Sequence, residues 1–503
     1  MAKSRLSGTP SKEEVVERTA KKKPSTVTGT NLTPTTKPSV KKTTKLSSPL
    51  PKTTQIEEVE ANYITDNGTS TPSDTPTNPT LETHLNNEIT ASPTPTSSPS
   101  TVKIACDLRE FNDYIQTLKS IIPSNTSHPI LCNILIEADA ENQQLHLTGY
   151  NLEFGMQVNF DANVNQPGKL TLPAPILADI LGKFPNGRLT LKSSFEIIKG
   201  SDIPSVSATL SSSNSKHVIR GLAADEFPTI PSVKQKLVTL PASVLIAVLK
   251  ASLFAVTSEE TKRILMGANF QLSHDADRRL NQLRVWTTDG HRVAMIVGLS
   301  ESSNSQFLNF QTVNFTVPAK VLRVLERSVN ASDKVTIYYD GSAEQPSKFV
   351  AFEWNNLRLT AQLLEGNYPK CDQIIAPYRS ELSHQIVVER LSFLKALERL
   401  ATHSDKSHIT AIFDFDLEAQ QVRASLNNTL SSGTETVDAK LWGCDFRLKC
   451  DIRYLIDTIK AVSSSDLRLL MATPTAPLLI VPFGTPASGT EALECEYVVA
   501  PQE

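Results

Sequence analysis

The sequence predicts an α+β protein: three tandem copies of one domain, each made of two β-helix-β half-domains, behind an N-terminal segment of different composition. Three observations predict this. Six apolar-periodic segments recur after residue 101, each opened by Pro, Asp or Glu. Runs of alternating apolar and polar residues surround each of them, as half-buried antiparallel strands require. A larger unit repeats above both, since Phe227-Pro228 and Tyr368-Pro369 lie 141 positions apart in matching contexts, "GLAADEFPTIP" and "LLEGNYPKCDQIIAP".

Residues 1–101 are Thr, Ser, Pro and Lys with little to bury ("TNLTPTTKPSVKKTTKLSSPLPKTT"). Such a composition cannot offset the entropy of ordering, so this segment is expected to be disordered. Its basic, Ser-rich start leaves an organelle-targeting role open, although "SKEEVVER" is acidic for one. The repeat divides the remainder into domains over 102–232, 233–378 and 379–503.

The helices are expected over 107–122, 173–184, 241–255, 318–329, 389–404 and 449–462. A proline in the first turn costs nothing, because its missing N–H would be unpaired there, and an acid favours the positive helix end. In "PAKVLRVLERSV", Val321, Leu322, Leu325 and Val329 share one face, while Lys320, Arg323 and Arg327 lie off it. In "RLSFLKALERLATH", Lys395 and Arg399 stand one turn apart, away from the apolar stripe. Together the six helices carry a net charge of +4, against −3 for the chain. With sheets outward and helices inward, these basic faces line one concave surface. A positive surface without aromatic interleaving suits the phosphates of duplex rather than stacked single strands.

The six cysteines form no C-x-x-C pair, which removes the usual zinc spacing, and no apolar run approaches a membrane span. A reducing, soluble compartment with free thiols follows. No G-x-x-x-x-G-K-[ST] loop is present, so the chain has no nucleotide site of that kind.

"TTDGHRVAM" places Asp289 two residues before His291, with Arg292 beside it. Residues two apart share a strand face, so a metal-dependent phosphoesterase or nuclease using Asp289 and His291 is one reading. Two groups without a nucleophile, metal cluster or oxyanion donor make a weak active site.

"HPILCNILIEA", "LTGYNLEF", "TTDGHRVAM", "LEGNYP" and the terminal "YVVAP" occur in the order found in the bacterial DNA polymerase III beta subunit, the sliding clamp family, which residues 102–503 resemble. The resemblance implies a non-catalytic processivity factor of the cytoplasm, without cofactor or metal. It implies a head-to-tail homodimer ring around duplex DNA, with helices lining the channel and sheets outside. Its partners would be a clamp loader, the polymerase III catalytic subunit and other proteins with clamp-binding peptides. The peptide cleft would comprise Leu265, Thr288, Gly290, His291, Arg292, Val293, Pro369, Gln373, Ile374, Val498, Ala500 and Pro501. Gln373 replaces a frequent basic residue, and Ala500 and Gln502 replace adaptable methionines. DNA contacts would come from Lys119, Lys183, Lys250, Lys262, Arg263, Lys320, Arg323, Arg327, Lys395 and Arg399, while Asn125 stands where an arginine is common. The dimer seam would place Thr402 and His403 opposite His217 and Ile219, a more polar closure than two aliphatics would give.

Overall fold

Six helices start at the positions the sequence marks. In the computed structural model α1 (Leu108–Lys119) is capped by Asp107, whose carboxylate accepts from the amides of Arg109 and Glu110 at 3.0 Å. The helices α2 (Ala174–Leu181), α3 (Ala242–Ser252) and α4 (Ala319–Ser328) follow Pro173, Pro241 and Pro318. These prolines sit one residue before the first helical position, in extended backbone, and not inside the first turn. A nine-residue helix, α5 (Cys371–Arg379), occupies the connector between the second and third repeats and was not expected from the sequence. Glu389 caps α6 (Arg390–Ala401) and Asp451 caps α7 (Ile452–Ala461), each by the same side-chain acceptance that satisfies orphan amides.

The structure describes residues 101–197, 204–275, 280–301, 312–342, 344–379, 382–404, 410–490 and 493–502. The expected disorder of the N-terminal segment falls on residues outside this set, apart from Thr101. Among the described residues no helix is long and apolar enough to cross a membrane.

The helices pair as α1 with α2, α3 with α4 and α6 with α7, one pair per repeat. Antiparallel sheets of five, eight and twelve strands hold them. Phe111, Phe270, Phe352, Phe393 and Phe413 are among the fully enclosed side chains between helices and sheets. Each contributes about 1.5–3 kcal/mol by leaving water.

Six strands decide how the repeats join: β1 (Phe154–Asp161), β2 (Ser215–Gly221), β3 (Arg292–Glu301), β4 (Leu357–Gln362), β5 (Ser432–Trp442) and β6 (Leu493–Val499). In order along the chain, β1, β3 and β5 occupy one position of the repeat, and β2, β4 and β6 the other. β1 pairs with β4, with Phe154 opposite Ala361, which makes the eight-stranded sheet continuous between the first and second repeats. β3 pairs with β6, with Arg292 opposite Val499, which does the same for the second and third.

The remaining pair, β2 and β5, finds no equivalent partner among the described residues. β2 ends its sheet, bonded on one side to the strand Pro204–Ser212. The first half of β5 is bonded on one side to the strand Gln421–Asn427, and only Ala439–Trp442 pairs on the other.

Candidate functional site

The turn that opens β3 is built by Asp289. Its Oδ1 accepts from the amides of His291 (2.9 Å) and Arg292 (3.1 Å). The corresponding turn before β1 has Asn151 accepting from Glu153 and Phe154 (3.1 and 2.9 Å), and that before β5 has Asn428 accepting from Leu430 and Ser431 (2.8 and 2.7 Å). An Asp or Asn whose side chain takes the amides two and three residues on is a turn device, favoured for that reason alone. The next residue, Gly290, has φ +96°, a conformation glycine adopts without steric cost. Three repeats use the same acceptor position, so Asp289 is accounted for by the hairpin rather than by acid–base chemistry.

Arg292 carries the second part of the motif. Its guanidinium donates to Asp289 Oδ2 from Nε (3.0 Å), to Asp457 Oδ2 on α7 from Nη1 (2.8 Å), and to the Phe254 carbonyl from Nη2 (3.1 Å). It lies between two rings, 5.2 Å from the Phe254 centroid and 4.9 Å from that of Tyr454. Its side chain is only 10% exposed. His291 stacks on the outer side of this assembly, its ring 5.5 Å from Tyr454 with an interplanar angle of 14°. Phe254 belongs to the second repeat, and Tyr454 and Asp457 to the third. Arg292 is therefore a latch between repeats, with its guanidinium engaged by groups of this chain. Its strand carries the residues expected to form the cleft wall.

That wall is apolar. Val293 faces Val498 across the β3–β6 ladder, and Val498 belongs to a cluster with Met295, Cys371, Ile375 and Leu479. α5 forms here because this cluster buries Cys371 and Ile375, and because Arg379 on its last turn ion-pairs with Glu496 and Asp372. Tyr368 joins the cluster and accepts from the Thr288 amide through its Oη (3.0 Å), and burial pushes its hydroxyl pKa up. Pro369 and Gln373 are exposed beside it, and Ile374 lies on α5. Leu265 is buried at the end of a short 3-10 segment, whose Ile264 lies against Gly366 of the connector. The Ala500 amide donates to the His291 carbonyl (2.9 Å), and Pro501 is half-buried. Thr288 is buried, with its hydroxyl donating to the Arg292 carbonyl at 2.7 Å. Most of the expected cleft residues thus come to one place.

The expected DNA-facing cations divide into two kinds. Lys119, Lys262, Lys320 and Arg399 are engaged, with Asp179 (2.9 Å), Glu259 (3.0 Å), Glu153 (3.0 Å) and Glu435 (2.5 Å) respectively. Lys183, Lys250, Arg263, Arg327 and Lys395 are exposed and make no ion pair among the described residues. Arg323 donates to the Leu253 carbonyl (3.0 Å). Lys320, Arg323, Arg327 and Asn125 all line a cleft of about 750 Å³.

At the expected seam, Ile219 is 3% exposed and points into its own domain. The alternation of a strand turns its neighbours Val218 and Arg220 outward, and both are exposed, whereas His217 lies on the Ile219 side with its ring 5.2 Å from Phe184. Thr402 is exposed at the end of α6. His403 packs so closely on Gly433 of β5 that a Cβ there would come within 2.5 Å of its ring.

Comparison with known proteins decides the family. Models of the DNA polymerase III beta subunit N-terminal, central and C-terminal domains match residues 102–231, 239–370 and 379–499. The beta sliding clamp of Synechococcus elongatus is 32% identical over 388 residues, spanning 76% of this chain and 96% of that protein. The Synechocystis sp. clamp is 31% identical, over 80% and 99%. The chain belongs to the DNA polymerase III beta subunit family. Its fold matches the crystal structure of the Bacillus subtilis sliding clamp with a TM-score of 0.68 at 20% identity, covering 80% of this chain and all of that one.

Sliding clamps act in DNA replication as non-catalytic processivity factors, and this protein is a DNA sliding clamp, not an enzyme. The phosphoesterase reading of Asp289 and His291 is overturned by the family and by the turn chemistry above. Phe254, Tyr454 and Asp457, which complete the Arg292 latch, were not found by sequence reasoning. Aligning the three turns at Asn151, Asp289 and Asn428 would have shown that the acid is structural.

Proposed function

We propose that two copies of this chain close head to tail into a ring that encircles duplex DNA. The carrying observation is the rule by which the repeats join. Strands β1 and β3 take β4 and β6, and the two strands left over are β5 and β2. Pairing β5 of one copy with β2 of a second repeats the same antiparallel step at both seams. Val218 holds the position of Thr360 and Val498, which are 2% and 6% exposed at the internal boundaries, yet Val218 is 62% exposed.

In this reading domains of 102–232, 233–378 and 379–503 each turn a helix pair toward the DNA. Lys183, Lys250, Arg263, Arg327 and Lys395 attract phosphates without reading bases, so the ring slides. The apolar wall of Val293 and Val498, with Pro369 and Gln373 at its rim, receives a Leu- or Phe-bearing peptide from the polymerase III catalytic subunit and other partners. The shorter Ala500 offers a bound peptide less apolar surface than methionine would. Opening the ring falls to an external ATP-driven clamp loader, and the setting is the bacterial cytoplasm.

Sedimentation equilibrium of the purified chain at micromolar concentration tests the closure. A dimer is expected, and a monomer overturns the ring.

A further inference from the structure

The turn residue that faces the next helix differs at each boundary. At the first boundary Glu153 ion-pairs with Lys320, the second residue of α4 (3.0 Å). At the second, His291 stacks on Tyr454, the third residue of α7. The same turn position before β5 is Leu430, and the second and third residues of the matching helix, α2, are Pro175 and Ile176. Leu430 is 94% exposed and Ile176 is 53% exposed, and no boundary among the described residues covers either.

We propose that Leu430 of one copy docks on Pro175 and Ile176 of a second, an apolar plug where the internal boundaries use an ion pair and an aromatic stack. This rests on the ring reading and names its seam contact. The repeat rule also fixes the register. Arg292 lies opposite Val499 and Phe154 opposite Ala361, so Ser431 lies opposite Ile219 of the second copy and Ser432 opposite Val218. Leu430 then sits one residue outside the ladder, at the mouth of the seam. Two exposed aliphatics at matching positions are the pattern of a surface completed by association. The chemistry also separates the boundaries. A Glu153-type turn meeting α2, or Leu430 meeting Lys320, leaves a charge facing an apolar partner, which penalises joining the wrong repeats.

The test is a charge exchange in the full chain. Leu430→Asp and Ile176→Lys are each expected to weaken the dimer by roughly a hundredfold, because each sets an unpaired charge against an aliphatic. Both positions are exposed, so the fold tolerates them, which circular dichroism checks. The double variant sets the introduced carboxylate against the introduced ammonium at both seams and is expected to recover most of the association. Wild type that sediments as a monomer overturns the ring reading itself. A wild-type dimer whose affinity neither single variant changes overturns the plug and leaves the ring standing. Weakened single variants without recovery in the double variant overturn the pairing of these two residues.

Discussion

Replacing Arg292 with alanine removes the latch between the second and third repeats. The guanidinium makes three charge-assisted or carbonyl hydrogen bonds and touches two aromatic faces. The arm to Asp457 is worth less than about 1 kcal/mol, because that carboxylate is 47% exposed and solvent screens it. The arm to Asp289 is different: both side chains are nearly enclosed, at 10% and 13% exposed. Breaking a buried pair by removing one partner costs about 3–5 kcal/mol. Asp289 keeps its two backbone amides, so the lower end, about 3 kcal/mol, is expected. Urea unfolding reads the stability, and hydrogen exchange along the β3–β6 ladder reads the boundary. Asp457→Asn serves as the control, with a loss below about 1 kcal/mol. An Arg292→Ala variant within about 0.5 kcal/mol of wild type, with unchanged exchange in that ladder, refutes the latch.

Three further outcomes follow from the same geometry. Arg327→Ala and Lys250→Ala should each flatten the dependence of log affinity for duplex on log salt by about 0.9 per lost phosphate contact, whereas Arg399→Ala, whose guanidinium is held by Glu435, should leave it unchanged. Val293→Asp or Val498→Asp should abolish binding of a Leu/Phe-containing peptide in a fluorescence-anisotropy titration, and retained affinity would place the peptide elsewhere. Burial pushes the thiols of Cys371 and Cys495 to about 11 and those of Cys106 and Cys450 to about 12. A raised pKa keeps the thiol protonated and unreactive below that value. A thiol reagent at about pH 8 should therefore label exposed Cys444 first, with the buried thiols of Cys106, Cys371 and Cys450 reacting only on unfolding.

The helices were legible because each follows an acid that caps it or a proline in extended backbone, and then buries a periodic stripe. Asp107, Glu389 and Asp451 are visible in a sequence as acids before apolar runs, and they do cap. The helix α5 was not legible, since nine residues with an internal Pro377 carry little propensity of their own. Contacts distant in sequence hold it, Cys371 and Ile375 against Leu479 and Val498, and Arg379 against Glu496. The same limit explains the cleft. Val293 and Val498 could be brought together only through the family resemblance, because their pairing joins two repeats. The contacts of Arg292 with Phe254, Tyr454 and Asp457 were not legible, because those partners come from two other segments. Ile219 and Val218 differ by one position, and strand alternation alone decides which faces out.

The encircling ring itself is tested by loading the protein onto nicked circular DNA with a clamp loader, isolating the complex, and cutting the circle once. A closed ring stays on the intact circle and leaves through the new ends, so the protein is expected to be lost upon linearisation at unchanged salt. Equal retention on circular and linear DNA would mean that the basic helices grip the duplex from outside, and would contradict the account.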